Sequence, residues 1–292
     1  MKKVLLLSLT LIAIIFMGCE LGGEIENENE NEGIAKKTFT FNGVSFEMIK
    51  VEGGTFTMGA TSEQTDFADN DEYPAHQVTL GSYAIGKTEV TQALWKAVMG
   101  NNPSSFQGDN LPVECVSWND CQAFIQKLNQ LTGKNFRLPT EAEWEFAARG
   151  GNKSQGCKYA GSNSSAEVAW YEYNSSSKTH PVATRQPNEL GIYDMSGNVW
   201  EWCQDWYGNY SSSSQTNPKG PNTGSNRVNR GGSWYFIAGR CRVSNRNDYD
   251  PSSRSYSLGF RLCISEDFGS TKQYLHSYSS LFEEQDVDDL PF

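Results

Sequence analysis

The pattern of apolar and polar positions predicts few helices, all in the first half of the chain. The first spans Thr88 to Met99, where Thr88 can serve as the N-cap, Thr91 opens the apolar face and Gly100 ends the helix. Upstream of it, the stretch from Gly53 to Gly59 alternates small and apolar residues between glycines. That pattern predicts a strand that leaves a tight turn.

Two more helices follow from the same periodicity. The second covers Trp118 to Leu131, with Asn119 available as its cap. Its apolar positions recur at helical spacing: Ala123, Phe124, Leu128 and Leu131. The third runs from Thr140 to Ala148, and Glu143 three residues after Thr140 forms a capping-box pattern.

From about Asn152 onward the chain is rich in Gly, Ser, Asn, Pro and Trp and has only short apolar runs. Long loops tied to a few strands fit this composition better than a parallel sheet covered by helices, so the sequence predicts a loop-rich α+β domain. Eight tryptophans are present, at positions 95, 118, 144, 170, 200, 202, 206 and 234. They offer a sugar-stacking surface, but a domain with few strand faces needs large rings for its core, and we expect most of them there.

The N-terminus has the pattern of a secretory signal peptide over residues 1–18. Lys2 and Lys3 precede an apolar run from Val4 to Met17 that is too short to cross a bilayer as a helix. Gly18 directly before Cys19 is typical of bacterial lipoprotein processing, which predicts a lipid on Cys19 as the mature N-terminus. The alternative is cleavage elsewhere with Cys19 as a free thiol. Both interpretations predict export.

The formal net charge of −11 is concentrated at the two ends of the chain. Residues 38–264 contain 22 acidic and 19 basic residues, which excludes a basic nucleic-acid surface. Residues 19–38, with the low-complexity run at 24–32, predict a flexible acidic tether. We therefore expect one folded domain over residues 39–264 and an acidic C-terminal tail over residues 265–292.

Seven motifs in this order identify a family resemblance that covers most of the chain. They are G-G-T-F-T-M-G, E-V-T, V-S-W-N-D, R-L-P-T-E-A-E-W-E, G-N-V-W-E-W, R-G-G-S-W and G-F-R. With them the chain resembles the formylglycine-generating enzyme family, also called sulfatase-modifying factors. The resemblance implies a compact, loop-rich variant of the C-type lectin fold in a single domain. A fold of this kind hosts many functions, so the function depends on the residues of the site and not on the fold alone.

The resemblance also implies where chemistry would lie. In the active enzymes two cysteines bind copper(I), which activates oxygen to convert a cysteine in a C-x-P-x-R motif of a sulfatase into formylglycine. The R-G-G-S-W motif aligns Cys241 with the second copper cysteine and Phe236 with the first. Ser233 aligns with an active-site serine and Trp200 with a tryptophan of the substrate groove. Two soft thiolates suit copper(I), and this chain offers one.

The missing cysteine favours a binding module over an oxidase. We expect an exported lipoprotein that attaches to the membrane by its lipid and binds an exported protein, peptide or glycan in the groove near Trp200, Ser233 and Trp234. A formylglycine-generating oxidase is the alternative if Cys203 or Cys115 approaches the remaining copper position in space. A scaffold subunit of an envelope complex is a third hypothesis.

The loop D-M-S-G-N-V-W-E carries an implied calcium site. By the resemblance, Asp194 and Glu201 would bind calcium through side-chain oxygens, and Gly197 and Val199 through backbone carbonyls, as hard oxygen ligands suit this ion. Without metal, Glu201 would instead pair within the loop. A second calcium site of the family has no convincing acidic matches in residues 167–184.

Six cysteines besides Cys19 allow 15 pairings, so spacing alone does not give the connectivity. The resemblance implies a disulfide between Cys121 and Cys263. The other four are expected to be structural bridges or buried thiols.

Three glutamates in T-E-A-E-W-E resemble a catalytic cluster, and helical spacing places Glu141 and Glu145 on one face. Capping by Glu143 and pairing with Arg137 or Arg149 explain them equally well, and we interpret them as structural. The histidines are far apart and show no metal-ligand spacing: His76, His180 and His276.

Overall fold

The computed structural model describes residues 27–29 and 35–265. Within those ranges the strands are β1 (Asn27–Asn29), β2 (Lys36–Phe41), β3 (Val44–Val51), β4 (Gly54–Met58), β5 (His76–Leu80), β6 (Tyr83–Gly86), β7 (Phe136–Arg137), β8 (Trp200–Trp206), β9 (Gln215–Thr216), β10 (Arg227–Arg230), β11 (Arg246–Tyr249), β12 (Leu258–Gly259) and β13 (Cys263–Ser265). The α-helices are α1 (Gln92–Met99), α2 (Trp118–Thr132), α3 (Glu141–Ala148) and α4 (Ser165–Val168). The predicted α+β class and the predicted strand from Gly53 to Gly59, here β4, are confirmed.

Three sheets organise the domain. The largest has the order β1-β2-β3-β6-β13-β7, so the final described strand pairs between β6 and β7 and closes the fold. The second has the order β11-β10-β8-β12, and the third the order β4-β5-β9. In the second sheet β10 and β8 are antiparallel neighbours, which places R-G-G-S-W beside G-N-V-W-E-W.

Helix α1 begins later than predicted, because its N-cap is Thr91 rather than Thr88. The Thr91 hydroxyl accepts a hydrogen bond from the backbone N–H of Leu94 at 3.3 Å. Residues just before it are held in extended pairing, since Val90 donates its N–H to the carbonyl of Phe260 at 2.9 Å. This long-range pairing leaves Thr88 outside the helix.

The N-cap of α2 differs from the predicted one, whereas the N-cap of α3 agrees with the prediction. Helix α2 is capped by Ser117 in a capping box with Asp120, not by Asn119, which lies inside the first turn. Helix α3 has the predicted capping box between Thr140 and Glu143. The boundary residues are thus decided by which hydroxyl reaches the third backbone N–H of the helix.

Between α4 and β8, residues 169–199 contain no helix or strand beyond one isolated bridge, as the composition predicts. Aromatic rings fill the core instead. In one cluster Trp95 stacks on Phe124 with centroids 5.1 Å apart, and both contact Phe260 edge-on. Most tryptophans are buried, which confirms the expectation: Trp95, Trp144, Trp200, Trp202 and Trp234.

The folded part begins before the predicted boundary at residue 39. Strand β2 starts at Lys36, because its T-F-T-F alternation buries Phe39 against Phe46 of β3 at a centroid distance of 5.5 Å. Strand β1, within the predicted tether, pairs with β2. The signal peptide, Cys19 and most of the predicted tail lie outside the described residues. Among the described helices, none has the length and apolar character needed to span a membrane.

The predicted disulfide is not formed in this structure. Cys121 on α2 and Cys263 on β13 are both buried free thiols, and they belong to two different hydrophobic clusters. The helix turns Cys121 toward Phe124, whereas the Cys263 sulfur lies 3.9 Å from a carboxylate oxygen of Glu143. The other cysteines within residues 35–265 are also free thiols: Cys115, Cys157, Cys203 and Cys241.

Candidate functional site

A tight Gly-Gly turn after β10 builds the centre of the site. Gly231 and Gly232 have φ angles of +99° and +72°, a region that L-residues with side chains rarely adopt. A Cβ on Gly232 would lie 2.7 Å from the sulfur of Cys241. The R-G-G-S-W motif is therefore a steric requirement for bringing Ser233 and the residues after it against Cys241.

The turn is joined to the loop that precedes β8 by two backbone hydrogen bonds. Gly197 donates to the carbonyl of Gly231, and Trp234 donates to the carbonyl of Asn198, each at 2.8 Å. A third contact runs from the Ser196 hydroxyl to the carbonyl of Cys241 at 2.8 Å. The two sequence motifs thus form one continuous site.

Cys241 is a buried thiol rather than an exposed nucleophile. It packs in a small cluster with Tyr159 and Val168 and has no exposed surface. Burial raises the pKa of Cys241 to about 12, and a hydrogen bond from the backbone of Ser233 offsets only part of this. The thiolate, which is the metal-binding form of cysteine, is therefore disfavoured at neutral pH.

The position aligned with the first copper cysteine holds an aromatic contact. Phe236 packs edge-on against Trp200, with centroids 5.8 Å apart. Trp200 is buried, and Ser233 is fully buried with its hydroxyl accepting from the N–H of Tyr235 at 3.3 Å. The site presents rings where the resemblance implies a thiolate.

The other cysteines considered for this role lie elsewhere. Cys203 packs in the hydrophobic cluster that contains Trp144 and Val228, and the Cys115 sulfur is 3.3 Å from the hydroxyl of Ser105. Over residues 35–265, no group of three or more His, Cys, Asp and Glu side chains is arranged to hold a metal ion.

Above the buried rings lies an exposed apolar area that we call the aromatic surface. It consists of Tyr235, Ile237 and Tyr256, which are 54%, 48% and 43% exposed. Trp234 supports it from below, with ring centroids 5.3 Å from Tyr235 and 5.5 Å from Tyr256, and Phe236 contacts Tyr235 at 5.6 Å. The sequence indicated Trp234 but not the two tyrosines, whose adjacency depends on the fold.

The two carboxylates predicted to bind calcium differ in environment. Glu201 is fully buried and forms a bidentate ion pair with Arg261, at 2.5 and 2.6 Å. It also accepts a hydrogen bond from the indole N–H of Trp144 at 2.7 Å. The charge of Glu201 is therefore balanced by Arg261, a residue outside the loop, and not by a partner within it.

Asp194 lacks such a partner. Its side chain is 3% exposed and accepts one hydrogen bond, from the N–H of Ala183 at 2.7 Å. Burial raises the pKa of Asp194 to about 6. The Ala183 N–H, the charge of Arg261 and a side-chain hydrogen bond with Glu89 oppose the rise, while the charge of Glu201 adds to it.

A third carboxylate, Glu89, lies beside these two and was missed by the sequence reasoning. It is 2% exposed, and no N–H donor or cation of the described residues bonds its carboxylate oxygens; its side-chain hydrogen-bond neighbour is the Asp194 carboxyl. Burial, followed by the charges of Asp194 and Glu201, raises its pKa well above the usual range. The sequence signal that could have indicated Glu89 is its place in the E-V-T motif, directly before the apolar Val90. The side-chain donors here are oxygens only, the type that a hard cation such as calcium prefers, but as they stand the three carboxylates do not form a metal-binding group.

A separate cavity of about 290 Å³ is lined by Asp205, His76 and Tyr210. Asp205 is 4% exposed and accepts a hydrogen bond from the backbone N–H of Glu141 at 2.9 Å. Burial and the charge of Glu141 raise the pKa of Asp205 to about 8. At neutral pH this cavity therefore contains a protonated carboxylic acid.

The three glutamates of α3 are used structurally, as interpreted from the sequence. Their ion pairs are Glu141 with Arg230 and Arg246, Glu143 with Arg137, and Glu145 with Arg149 and Arg230. His180 stacks on Trp170 with centroids 3.6 Å apart, and His276 lies outside the described residues.

Comparison with known proteins accounts for this arrangement. Residues 37–266 match the Sulfatase-modifying factor enzyme 1-like domain. The chain is 36% identical over 274 residues to "Chaperone protein LppX" of Paenibacillus barcinonensis, covering 76% of this chain and 91% of that protein. It is 32% identical over 292 residues to the formylglycine-generating enzyme of Streptomyces coelicolor, covering 76% and 90% of the two chains. Among solved structures, "Treponema denticola variable protein 1" is similar with a TM-score of 0.72 and 36% identity, covering 79% of this chain and 99% of that one.

Proposed function

Because the chain belongs to the sulfatase-modifying factor enzyme 1-like family, with its loop-rich C-type-lectin-like fold, we propose that it is a non-catalytic member that binds a polypeptide through the aromatic surface. The observation that carries this proposal is the Cys241 site. Its thiol is buried with a pKa of about 12, and Phe236 stands at the other copper position. Copper(I) would have neither an exposed thiolate nor a second sulfur ligand.

The aromatic surface supports the binding role. Exposed apolar patches often mark sites of interaction with other proteins. Tyrosine rings suit such sites because each offers a large contact area and loses little side-chain entropy on binding. Trp234 and Phe236 hold the two tyrosines from below, so the surface is preorganised. The similarity to a protein named a chaperone favours a polypeptide over a glycan as the ligand.

The cell envelope is the proposed location. The apolar run before Cys19 supports export, and lipidation of Cys19 would attach the chain to a membrane. The aromatic surface would then be presented to other exported proteins. Mass spectrometry of the N-terminal peptide from native cells tests this, since an unmodified N-terminus other than Cys19 would exclude the anchor.

The first prediction is that the purified protein does not form formylglycine. Incubated with copper(I), oxygen and a C-x-P-x-R peptide, it should leave the peptide mass unchanged, because the single buried thiol cannot hold the metal. The peptide is followed by mass spectrometry beside a formylglycine-generating enzyme as positive control. Turnover by the wild-type chain would reject the non-catalytic assignment.

The matched variant for this assay is Phe236→Cys. It places a second sulfur at the aligned position and should increase the amount of copper(I) that the protein retains on gel filtration. Copper retention by wild type equal to that of the variant would show that Phe236 is not what excludes the metal.

The second prediction concerns the aromatic surface itself. Wild-type protein should slow the aggregation of reduced insulin B chain, used as a non-native polypeptide probe, in a light-scattering assay. The double variant Tyr235→Ser with Tyr256→Ser should lose most of this effect, because both exposed rings are removed while Trp234 remains. The control is Leu131→Ser, which removes another exposed apolar side chain, 50% exposed, from α2. Equal loss in the control, or none in the double variant, would contradict the proposed surface.

We also propose that calcium braces the loop from Asp194 to Glu201. The chain has no helix or strand in residues 169–199, and a bound cation would replace regular structure there. Its ligands would be the Asp194 carboxylate and the carbonyls of Gly197 and Val199, supplied by a loop in which Asp194 and Gly197 both have positive φ. Titration calorimetry of chelator-treated wild-type protein tests this, and no binding at millimolar calcium would exclude the site.

A further inference from the structure

We propose that Glu89 is a direct ligand of this cation and that Arg261 withdraws Glu201 from the inner ligand set. The inference rests on the calcium proposal above and adds a residue from a different part of the fold. The site would consist of two carboxylates, Glu89 and Asp194, with loop carbonyls and water.

The carboxylate of Glu89 is fixed in the interior by its backbone. The neighbouring residue Val90 donates to the carbonyl of Phe260 and accepts from the N–H of Val113, at 2.9 and 2.8 Å. These two hydrogen bonds fix the backbone next to Glu89 between the segments that contain Phe260 and Val113, and the Glu89 side chain is 2% exposed. Burying a carboxylate without an opposite charge is energetically unfavourable, so the Glu89 and Asp194 pair favours a bound counter-charge.

Arg261 lowers the pKa of Glu89 through its charge but forms its ion pair with Glu201, not with Glu89. Its guanidinium makes two bonds to Glu201, and the remaining donors reach the carbonyls of Gly86 and Tyr193, at 2.9 and 3.0 Å. Glu201 and Arg261 therefore neutralise each other. Two buried carboxylates remain, those of Glu89 and Asp194, and a single divalent cation balances both.

The chemistry of the donors selects the type of ion. Carboxylates, carbonyls and water are hard oxygen ligands, which suit calcium and disfavour copper(I). A cavity of about 270 Å³ is lined by Glu89, Val182 and Ala183, and the backbone N–H of Ala183 bonds the Asp194 carboxylate. The cavity is large enough to hold the waters that complete a calcium shell.

The test is calcium titration of chelator-treated protein by calorimetry, with terbium luminescence sensitised by tryptophan as a second readout. The variants are wild type, Glu89→Gln and Glu114→Gln. Glu114 is a matched control, because it is also fully buried and has one unpartnered carboxylate oxygen, while its other oxygen accepts from Phe106. Glu89→Gln should weaken calcium binding at least tenfold, and Glu114→Gln should leave it unchanged.

Thermal unfolding separates a ligand from a residue that only supports the fold. In chelator, Glu89→Gln should melt no lower than wild type, because the amide has the same shape and removes a buried charge. In calcium, wild type should gain stability and Glu89→Gln should gain little. A midpoint of the variant that lies below wild type by the same amount in chelator and in calcium would overturn the ligand role.

The remaining outcomes distinguish the two proposals. Calcium binding by wild type with equal affinity for Glu89→Gln would overturn the role of Glu89 and leave the loop site intact. No calcium or terbium binding by wild type would overturn both, and would mean that Glu89 and Asp194 share a proton instead of a metal.

Discussion

Arg261→Met should lower the free energy of unfolding by about 3–5 kcal/mol, the range for removing one partner of a buried ion pair. The substitution leaves Glu201 fully buried without its only ion-pair partner, beside the carboxylates of Glu89 and Asp194. Methionine fills a similar volume, so the loss reports mainly on charge. Since a domain of this size is stable by about 5–15 kcal/mol, the effect is large. Urea unfolding followed by tryptophan fluorescence measures it.

Two further variants test the cause of that loss. In the double variant Arg261→Met with Glu201→Gln, the carboxylate charge is removed as well, and the amide oxygen can still accept from the indole N–H of Trp144. More than half of the lost stability should return. The exposed pair is the comparison: Arg254→Met removes the partner of Asp120 at a site where Arg254 is 56% exposed, and should cost under about 1 kcal/mol. Equal losses at Arg254 and Arg261 would contradict the argument from burial.

Asp205→Asn should remove a strong pH dependence of stability between about pH 4 and pH 8. In the folded protein, burial and the charge of Glu141 raise the pKa of Asp205 to about 8 from an ordinary 3.8. Between these values the folded state keeps a proton that the unfolded state has lost. The unfolding free energy therefore falls as pH rises, by about 1.4 kcal/mol per pH unit and about 6 kcal/mol over the interval. The contribution is at its maximum below pH 4.

The asparagine variant isolates this group from the others that titrate. Its side-chain oxygen can still accept from the backbone N–H of Glu141, so the local hydrogen bond is preserved. Urea unfolding at pH 5, 6, 7 and 8 should give a less negative slope for Asp205→Asn than for wild type. Asp250→Asn changes an exposed aspartate and should reproduce the wild-type slope. Parallel slopes for wild type and Asp205→Asn would refute the buried protonated acid.

Local features of the fold were predictable from the sequence because they depend on neighbours in the chain. The capping box of α3 needs only Thr140 and Glu143 on successive turns. The strand β4 follows from alternation between glycines, and the loop-rich second half from composition. Where a local rule left a choice of cap, as between Thr88 and Thr91, pairing with the distant Phe260 decided it.

The site divides in the same way. The sequence by itself determined the family and the positions of Cys241 and Phe236 after R-G-G-S-W, because each can be read from an ordered motif. Only the tertiary structure decided that Arg261 pairs with Glu201, that Glu89 lies near Asp194, and that Tyr256 packs edge-on against Tyr235. These pairs are distant in sequence, and their energies depend on burial and on which charges remain uncompensated. Burial and the balance of charges are set only when the chain has folded, so a local sequence pattern cannot predict these pairs.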